Sequence, residues 1–228
     1  MIGWDKFATA FPAGVTPERF RRATVPVFAA EKVFHPANGF SPRKWDCPLR
    51  LHSPLTFPAM TTVPDEHRRH SPESIACAVI TVSDTRTAST DVGGRTAVDL
   101  LQAAGHRVLA REILPDEPEP LATTLQALCR RGDIDAVLLT GGTGLGSRDR
   151  TFETLAQLLD KRLPGYGELF RMLSFEEIGP AAMLSRATGG VLDRTVVLSM
   201  PGSPAGVRLA LEKVILPELG HLVREAQR

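Results

Sequence analysis

From residue 75 onwards, the spacing of apolar residues predicts strands that alternate with helices. Residues 75–82 (IACAVITV) form a continuous apolar, β-branched run, which is typical of a strand buried on both faces. In residues 94–104 the apolar positions follow helical spacing, and Gly105 ends the pattern. The same reasoning predicts further strands at 107–114, 136–140, 188–192 and 195–200, and helices at 120–130, 151–159, 166–178, 205–215 and after Pro217.

Strands that alternate with helices favour an α/β fold. The pattern predicts a three-layer sandwich in which a mostly parallel sheet is covered by helices on both faces. Asp193 and Arg194, between the last two short strands, are expected to form a turn.

The first 72 residues differ in composition from the rest of the chain. They contain ten of the 18 prolines, and ten lysines and arginines against six acidic residues. Dense proline removes backbone donors and disfavours helix in the preceding residues. We therefore predict a mostly disordered, proline-rich extension at 1–72, with no function of its own, and a globular domain at 73–228. A second hypothesis is that translation starts at Met60, which opens a short polar leader.

Charge and cysteine content narrow the function classes. The net charge of +1 does not favour a general binder of nucleic acid or membrane surfaces, and no apolar run reaches the roughly 20 residues of a membrane span. Cys47, Cys77 and Cys129 form no CxxC pair, which excludes a disulfide framework and a zinc site of standard spacing. A reducing cytoplasm is therefore the expected location.

Polar loops follow four of the predicted strands. In an open parallel sheet, ligands bind beyond the carboxyl ends of the strands, so these loops are the candidate site. They comprise residues 83–86, 115–117, 141–149 and 200–204.

The loop at 141–149 has the composition of a phosphate-binding loop. Four glycines within six residues let the backbone approach a ligand, and a predicted helix begins directly afterwards. The alternative is a plain tight turn between a strand and a helix. The loop lacks the Gly-Lys-Ser/Thr of a P-loop NTPase, because Gly146 is followed by Ser147 and Arg148. It also departs from the dinucleotide fingerprint, which would require glycine or alanine at position 147.

Two aspartates follow the second and third predicted strands. Asp116 and Asp149 are expected at the same rim, because we take their strands to be parallel neighbours. A carboxylate pair beside a phosphate loop suits Mg²⁺ binding, or the orientation or deprotonation of an attacking group. Alternatively, Asp116 is a turn residue and Asp149 caps the next helix, with Glu153 in its first turn. Their shared position favours a functional role. Ser83-Asp84 fits a local turn as well as a ligand contact.

Several motifs, in one continuous order, resemble the MoaB/Mog family of molybdenum-cofactor biosynthesis, and most closely its MoaB branch. TGGTG at 140–144, followed by Arg148-Asp149, resembles the signature loop of that family. The resemblance continues through TVSD at 81–84, LPDE at 114–117, PGYGE at 164–168, SFEEIG at 174–179, LSR at 184–186 and MPGSP at 200–204.

The resemblance implies a function and an assembly. Such proteins form α/β sandwiches that assemble as trimers or hexamers. Their activity is adenylyl transfer: with Mg²⁺ present, the terminal phosphate of molybdopterin attacks the α-phosphate of ATP and pyrophosphate leaves. A separate molybdenum insertase then uses the product and is an expected partner. The alternatives are a molybdopterin-binding scaffold without catalysis and an unrelated phosphate-binding enzyme of the doubly wound class.

The resemblance also assigns roles to individual residues. Asp116 and Asp149 match the two essential aspartates of the family, and Asp116 is the candidate Mg²⁺ ligand. The loop that holds the molybdopterin phosphate corresponds to Gly141, Gly142, Thr143 and Gly144. Ser174 matches a serine of the pterin pocket, and Ser185 is also expected to bind substrate. The nucleotide side corresponds to Ser83, Asp84, Pro201, Gly202 and Pro204.

Overall fold

One six-stranded sheet organises the domain. The computed structural model describes residues 71–228, so Met60 and nearly all of the predicted extension at 1–72 lie outside the described residues. The strands follow the order β2-β1-β3-β6-β5-β4 across the sheet. Their bounds are β1 Ala76–Val82, β2 Arg107–Leu114, β3 Ala136–Thr140, β4 Lys161–Arg162, β5 Gly189–Leu192 and β6 Thr195–Met200.

The sheet is mostly parallel, as predicted. β1 pairs in parallel with both β2 and β3, and β3 pairs in parallel with β6. β5 and β4 extend this sheet in antiparallel fashion. The expectation that β2 and β3 are neighbours is wrong, because β1 lies between them. Asp193, with a φ of 55°, forms the predicted turn between β5 and β6.

Six α-helices cover the sheet within the described residues. They are α1 Val92–Ala103, α2 Pro118–Arg130, α3 Thr151–Leu158, α4 Pro164–Ile178, α5 Pro204–Ala210 and α6 Leu216–Gln227. The predicted helix at 205–215 is divided, because α5 passes into a π-helical turn at Leu211–Ile215. The periodicity also missed β4 and the 3-10 helix Gly179–Leu184: β4 has only two residues, both charged and exposed.

Two separate cores make the domain a three-layer sandwich. One core packs α1, α4, α5 and α6 against one face of the sheet, and the other packs α2 and α3 against the opposite face. Successive β1 residues contribute to opposite cores, Cys77 and Val79 to the first, Ala78 and Ile80 to the second. This double burial explains the unbroken apolar run in the sequence. No described helix is long and apolar enough to cross a membrane.

A buried carboxylate fixes the start of α1 beside the carboxyl end of β1. Asp91 is 1% exposed and caps the helix by accepting a hydrogen bond of 2.8 Å from the Gly94 amide. The Thr81 hydroxyl and Arg111 Nη2 also donate to Asp91, at 2.8 and 2.9 Å. Burial opposes ionisation, but these three donors outweigh it and lower the pKa of Asp91. The buried charge is therefore fully compensated.

We expect Gly94→Ala to destabilise the protein, although alanine is normally the better helix former. A methyl group at Gly94 would overlap the Asp91 carboxylate and the Thr81 hydroxyl. Disrupting this buried network is expected to lower the free energy of unfolding by about 1–3 kcal/mol. Gly165→Ala in the first turn of α4 is the control, because nothing lies within 4 Å of its added methyl group. Urea denaturation that gave equal free energies for both variants would contradict the prediction.

Candidate active site

A cleft of about 660 Å³ lies at the carboxyl edge of the sheet. The segments that follow β1, β2, β3 and β6 form it together with α4 and the 3-10 helix. All the predicted site residues except Asp84 and Pro204 line this cleft: Ser83, Asp116, Gly141, Gly142, Thr143, Gly144, Asp149, Ser174, Ser185, Pro201 and Gly202.

Two consecutive glycines turn the chain at the end of β3. Gly141 and Gly142 have φ values of 103° and 61°, in the left-handed region that favours glycine. A side chain at Gly141 would overlap the Val82 carbonyl oxygen. At Gly142 it would overlap the Thr151 hydroxyl and lie 2.7 Å from Asp116 Oδ1. The loop therefore needs glycine at both positions to pack this closely against its neighbours.

The first turn of α3 anchors the glycine loop, which we define as residues 141–146. The Thr151 amide donates to the Gly142 carbonyl and the Thr151 hydroxyl donates to the Gly141 carbonyl, both at 3.1 Å. The Gly141 amide donates to the Met200 carbonyl at 3.0 Å, which joins the loop to the end of β6. The loop is thus held by hydrogen bonds on both sides.

Asp149 faces the glycine loop and does not cap α3. Its Oδ2 accepts a hydrogen bond of 2.7 Å from the Gly146 amide. A Cβ atom at Gly144 or Gly146 would lie 2.7 Å from the same oxygen. The N-cap of α3 is Arg150, whose side chain makes no capping hydrogen bond. The helix-cap alternative for Asp149 is therefore wrong.

Arg186 supports the loop from the other side, a role that sequence reasoning missed. Its Nε donates to the Gly144 carbonyl at 2.7 Å, and its Nη2 donates to the Asp149 carbonyl at 2.6 Å. Its Nη1 forms an ion pair with Glu153. The LSR motif contained this arginine, but spacing alone gave no sign that it reaches a loop more than 35 residues away.

Asp116 lines the cleft and has one buried oxygen, Oδ1, without a hydrogen-bond partner within the described structure. Burial, followed by the charges of Asp84 and Asp149, raises the pKa of Asp116. Because buried polar atoms are nearly always hydrogen-bonded, this oxygen marks a position for a cation or a ligand.

Asp84 bonds to neighbouring loops instead of lining the cleft. Its carboxylate accepts hydrogen bonds from Arg148 Nε at 3.0 Å and Nη2 at 2.9 Å, and from the Asp116 amide at 3.1 Å. The Arg148 hydrogen bond is the main reason why the pKa of Asp84 is lowered. Pro204 is also outside the lining; its neighbour Ser203 caps α5 through the Gly206 amide at 3.1 Å.

The end of the cleft that α4 and the 3-10 helix form is mostly apolar, although Glu177 of α4 also lines the cleft. Ser174, 5% exposed, lies there on α4, close to Phe170 and Ile178 of the same helix. Ala181, Ala182, Leu184 and Ser185 of the 3-10 segment complete this end. The cleft therefore combines a polar end, built from loop backbone and carboxylates, with an apolar end that suits a flat ring system.

Charged side chains in the lining are mostly acidic. Arg86 is the one cation among the described residues that line the cleft, whereas four carboxylates line it: Asp91, Asp116, Asp149 and Glu177. Arg86 lies in the predicted loop at 83–86, although it was not singled out there. Sequence reasoning missed Asp91 and Glu177, because neither belongs to a loop that follows a predicted strand.

The described residues fit a Mg²⁺ ion that arrives with a phosphate ligand. They contain no group of three or more histidines, cysteines or acids placed to hold a metal by themselves. Mg²⁺ is commonly bound by one or two carboxylates together with substrate phosphates and water. The unpartnered Asp116 oxygen provides one such ligand.

Known proteins share both the sequence and the fold. The family described as "Probable molybdopterin binding domain" matches residues 78–221. Molybdenum cofactor biosynthesis protein B of Bacillus subtilis is 50% identical over 164 residues, which cover 72% of this chain and 96% of the relative.

Solved structures agree with this match. The crystal structure of a molybdenum cofactor biosynthesis protein B superposes with a TM-score of 0.67 at 50% identity, covering 69% of this chain and 99% of that one. The tungsten cofactor synthesizing protein MoaB from Pyrococcus furiosus superposes with a TM-score of 0.63 at 34% identity, covering 69% and 100%. The chain therefore belongs to the molybdopterin-binding domain family, within the group of MoaB-like proteins that its motifs predicted.

Proposed function

We propose that this protein transfers an adenylyl group from Mg-ATP to the terminal phosphate of molybdopterin, in molybdenum cofactor biosynthesis. The observation that carries the proposal is the meeting of a glycine loop with Asp116 and Asp149 in one cleft. The names of its relatives, molybdenum cofactor biosynthesis protein B and a tungsten cofactor synthesizing protein, support the pathway.

The two ends of the cleft suit the two parts of molybdopterin. The apolar end around Phe170 and Ser174 would receive the pterin ring. The backbone of residues 141–144 would hold its terminal phosphate, where glycines allow close approach and the positive end of α3 favours an anion. ATP would occupy the side formed by Ser83, Pro201 and Gly202.

The reaction needs position and charge neutralisation more than proton transfer. An oxygen of the molybdopterin phosphate attacks the α-phosphorus of ATP; the new P–O bond forms as the bond to the β-phosphate oxygen breaks, and pyrophosphate leaves. A phosphate monoester is largely dianionic at neutral pH, so the attack requires no general base. The protein would bring two anions together and hold them in line.

Asp116 would hold Mg²⁺, with Asp149 near it. Bound Mg²⁺ would neutralise charge on the phosphates of ATP and on the leaving pyrophosphate. Asp149 would orient the glycine loop, because its carboxylate already accepts the Gly146 amide. Arg86 would add a cationic donor at the nucleotide side.

We expect Asp149→Asn to abolish most turnover while leaving the fold intact. Asparagine retains an acceptor oxygen for the Gly146 amide but loses the charge. Pyrophosphate release with molybdopterin, ATP and Mg²⁺ should fall at least about 100-fold. Release by the wild-type protein must also require molybdopterin. If the wild-type protein binds molybdopterin tightly yet releases no pyrophosphate, it is a molybdopterin-binding scaffold and the proposed transfer is wrong.

Asp116→Asn should reduce activity and, at neutral pH, leave the protein as stable as the wild type or more so. The raised pKa of Asp116 means that its ionised form is less favourable in the folded than in the unfolded state. Asparagine removes that cost. The difference in melting temperature should shrink as the pH falls towards 3.8, where the wild-type carboxyl also becomes neutral. A variant that is less stable at every pH would contradict this prediction.

An exposed apolar surface on α4 and the following 3-10 helix supports the expected oligomer. We define this surface by Leu169, Met172, Phe175, Ile178, Met183 and Leu184, each of which is at least half exposed. Ile178 and Leu184 also line the cleft, so the surface borders the site. Single exposed apolar residues are normal, but a contiguous group marks an interaction site. We propose that copies of the chain meet there, in the trimer or hexamer that the resemblance implies.

Phe175→Glu is therefore expected to dissociate the oligomer, because it places a charge in the centre of an apolar contact. The molar mass of the full chain, measured by light scattering after size-exclusion chromatography, should fall to that of smaller species. Val92→Glu is the matched control: Val92 is 51% exposed but lies at the start of α1, where an acid suits the helix dipole. An unchanged mass for Phe175→Glu would exclude this surface as the contact.

A further inference from the structure

The loop after β1 is placed to connect the two loops that carry Asp116 and Asp149. β1 lies between β2 and β3, so the loop that follows it has one aspartate-bearing loop on each side. We propose that Asp84 and Arg148 are positioning residues, whose ion pair keeps Asp116 and Asp149 at a fixed position relative to each other in the cleft. This inference rests on the proposed function and assigns to Asp84 a role other than substrate binding.

A single carboxylate bonds to both neighbouring loops. Asp84 Oδ1 accepts the Asp116 amide at 3.1 Å and Arg148 Nη2 at 2.9 Å. Asp84 Oδ2 accepts Arg148 Nε at 3.0 Å. The paired bonds from one guanidinium fix direction as well as distance, which a single charge contact does not. Asp84 therefore sets the position of one loop relative to the other.

Each contact acts on the main chain at, or next to, one of the two aspartates. The Asp116 amide is itself the donor on one side. On the other side, Arg148 directly precedes Asp149, and its Nη2 also lies 3.6 Å from Glu117 Oε1, next to Asp116. The Asp149 carbonyl is held independently by Arg186. Loss of the Asp84–Arg148 pair would therefore let the distance between the two loops vary. Arg186 would still hold the glycine loop.

The ion pair itself is accessible to water. The side chains of Arg148 and Asp84 are 57% and 38% exposed, and neither residue lines the cleft. Exposed ion pairs contribute little to global stability. A large loss of turnover on breaking this pair would therefore come from misplaced aspartates and not from unfolding.

The chain contains a matched control pair. Arg131 donates to Asp133 through Nε at 3.0 Å and Nη2 at 2.9 Å, the same forked arrangement. The two side chains are 43% and 53% exposed. They lie in the segment before β3, at the opposite end of that strand from the cleft. Asp133→Asn removes an equivalent charge where no substrate is expected.

Steady-state kinetics of the full-length protein test the proposal. Asp84→Asn and Arg148→Gln should each lower the kcat for pyrophosphate release by about 10- to 100-fold, with the KM values of ATP and molybdopterin within about threefold of wild type. The double variant should lose no more than the more impaired single variant, because both changes break one interaction. Arg148→Lys, which keeps the charge without the fork, should recover part of the loss. Asp133→Asn should behave as wild type.

Three results would overturn the proposal. A raised KM for one substrate with unchanged kcat would make Asp84 or Arg148 a substrate ligand. Losses that add in the double variant would show two independent roles. An unchanged kcat in both single variants would show that the pair positions nothing.

Hydrogen exchange separates this proposal from the proposed function, because it needs no substrate. Exchange at the Asp116 amide and across residues 141–149 should be faster in Asp84→Asn and Arg148→Gln than in wild type and Asp133→Asn. If wild type releases no pyrophosphate but exchange responds in this way, adenylyl transfer is wrong and the coupling of the loops stands. If exchange is unchanged, the coupling is wrong, whether or not wild type turns over.

Discussion

Close approach of backbone to backbone at the carboxyl edge of the sheet is the constraint on which the rest of the site depends. A side chain at Gly141 would overlap the Val82 carbonyl, and one at Gly93 would lie 2.9 Å from the Gly202 carbonyl oxygen. Gly202 in turn packs against Gly141, so that a Cβ atom on Gly202 would lie 3.4 Å from the Gly141 Cα. Glycine at Gly93 and Gly141 therefore allows the segments after β1, β3 and β6 to converge, whereas the Gly202 contact is of ordinary van der Waals length. Together with the segment after β2, which carries Asp116, these segments line the cleft.

The cleft also brings several negative charges together, and its aspartates differ in burial and in hydrogen bonding. Asp91 is buried and fully hydrogen-bonded, with its charge balanced by Arg111. Asp149 is bound to the Gly146 amide, whereas Asp116 keeps a buried oxygen without a partner. The pKa of Asp91 is lowered and that of Asp116 is raised, although both are aspartates of one cleft. The buried Asp116 oxygen without a partner is the one most in need of an added cation or donor.

The sequence predicted the elements of this site better than their connections. Continuous apolar runs identified β1 and β3, and the glycines identified the loop at 141–149, because both signals are local. Strand order is not local, so the sequence could not reveal that β1 separates β2 from β3. The same limit hid the partners of Asp84 and Arg186, which lie 32 or more residues away along the chain. The motif resemblance placed Asp84 among the substrate ligands, but its hydrogen bonds connect it to two loops.

The charge of the cleft bears on the order in which substrates bind under the proposed function. With Asp91 balanced by Arg111, the part of the lining that the structure describes retains Asp116, Asp149 and Glu177 against one cation, Arg86. A polyanion such as free ATP would meet net repulsion there, whereas a Mg-ATP complex carries less negative charge and offers a cation to Asp116. Metal and nucleotide would therefore bind as one unit. The molybdopterin phosphate would meet less repulsion from the carboxylates after that unit has bound, because the ion partly neutralises them.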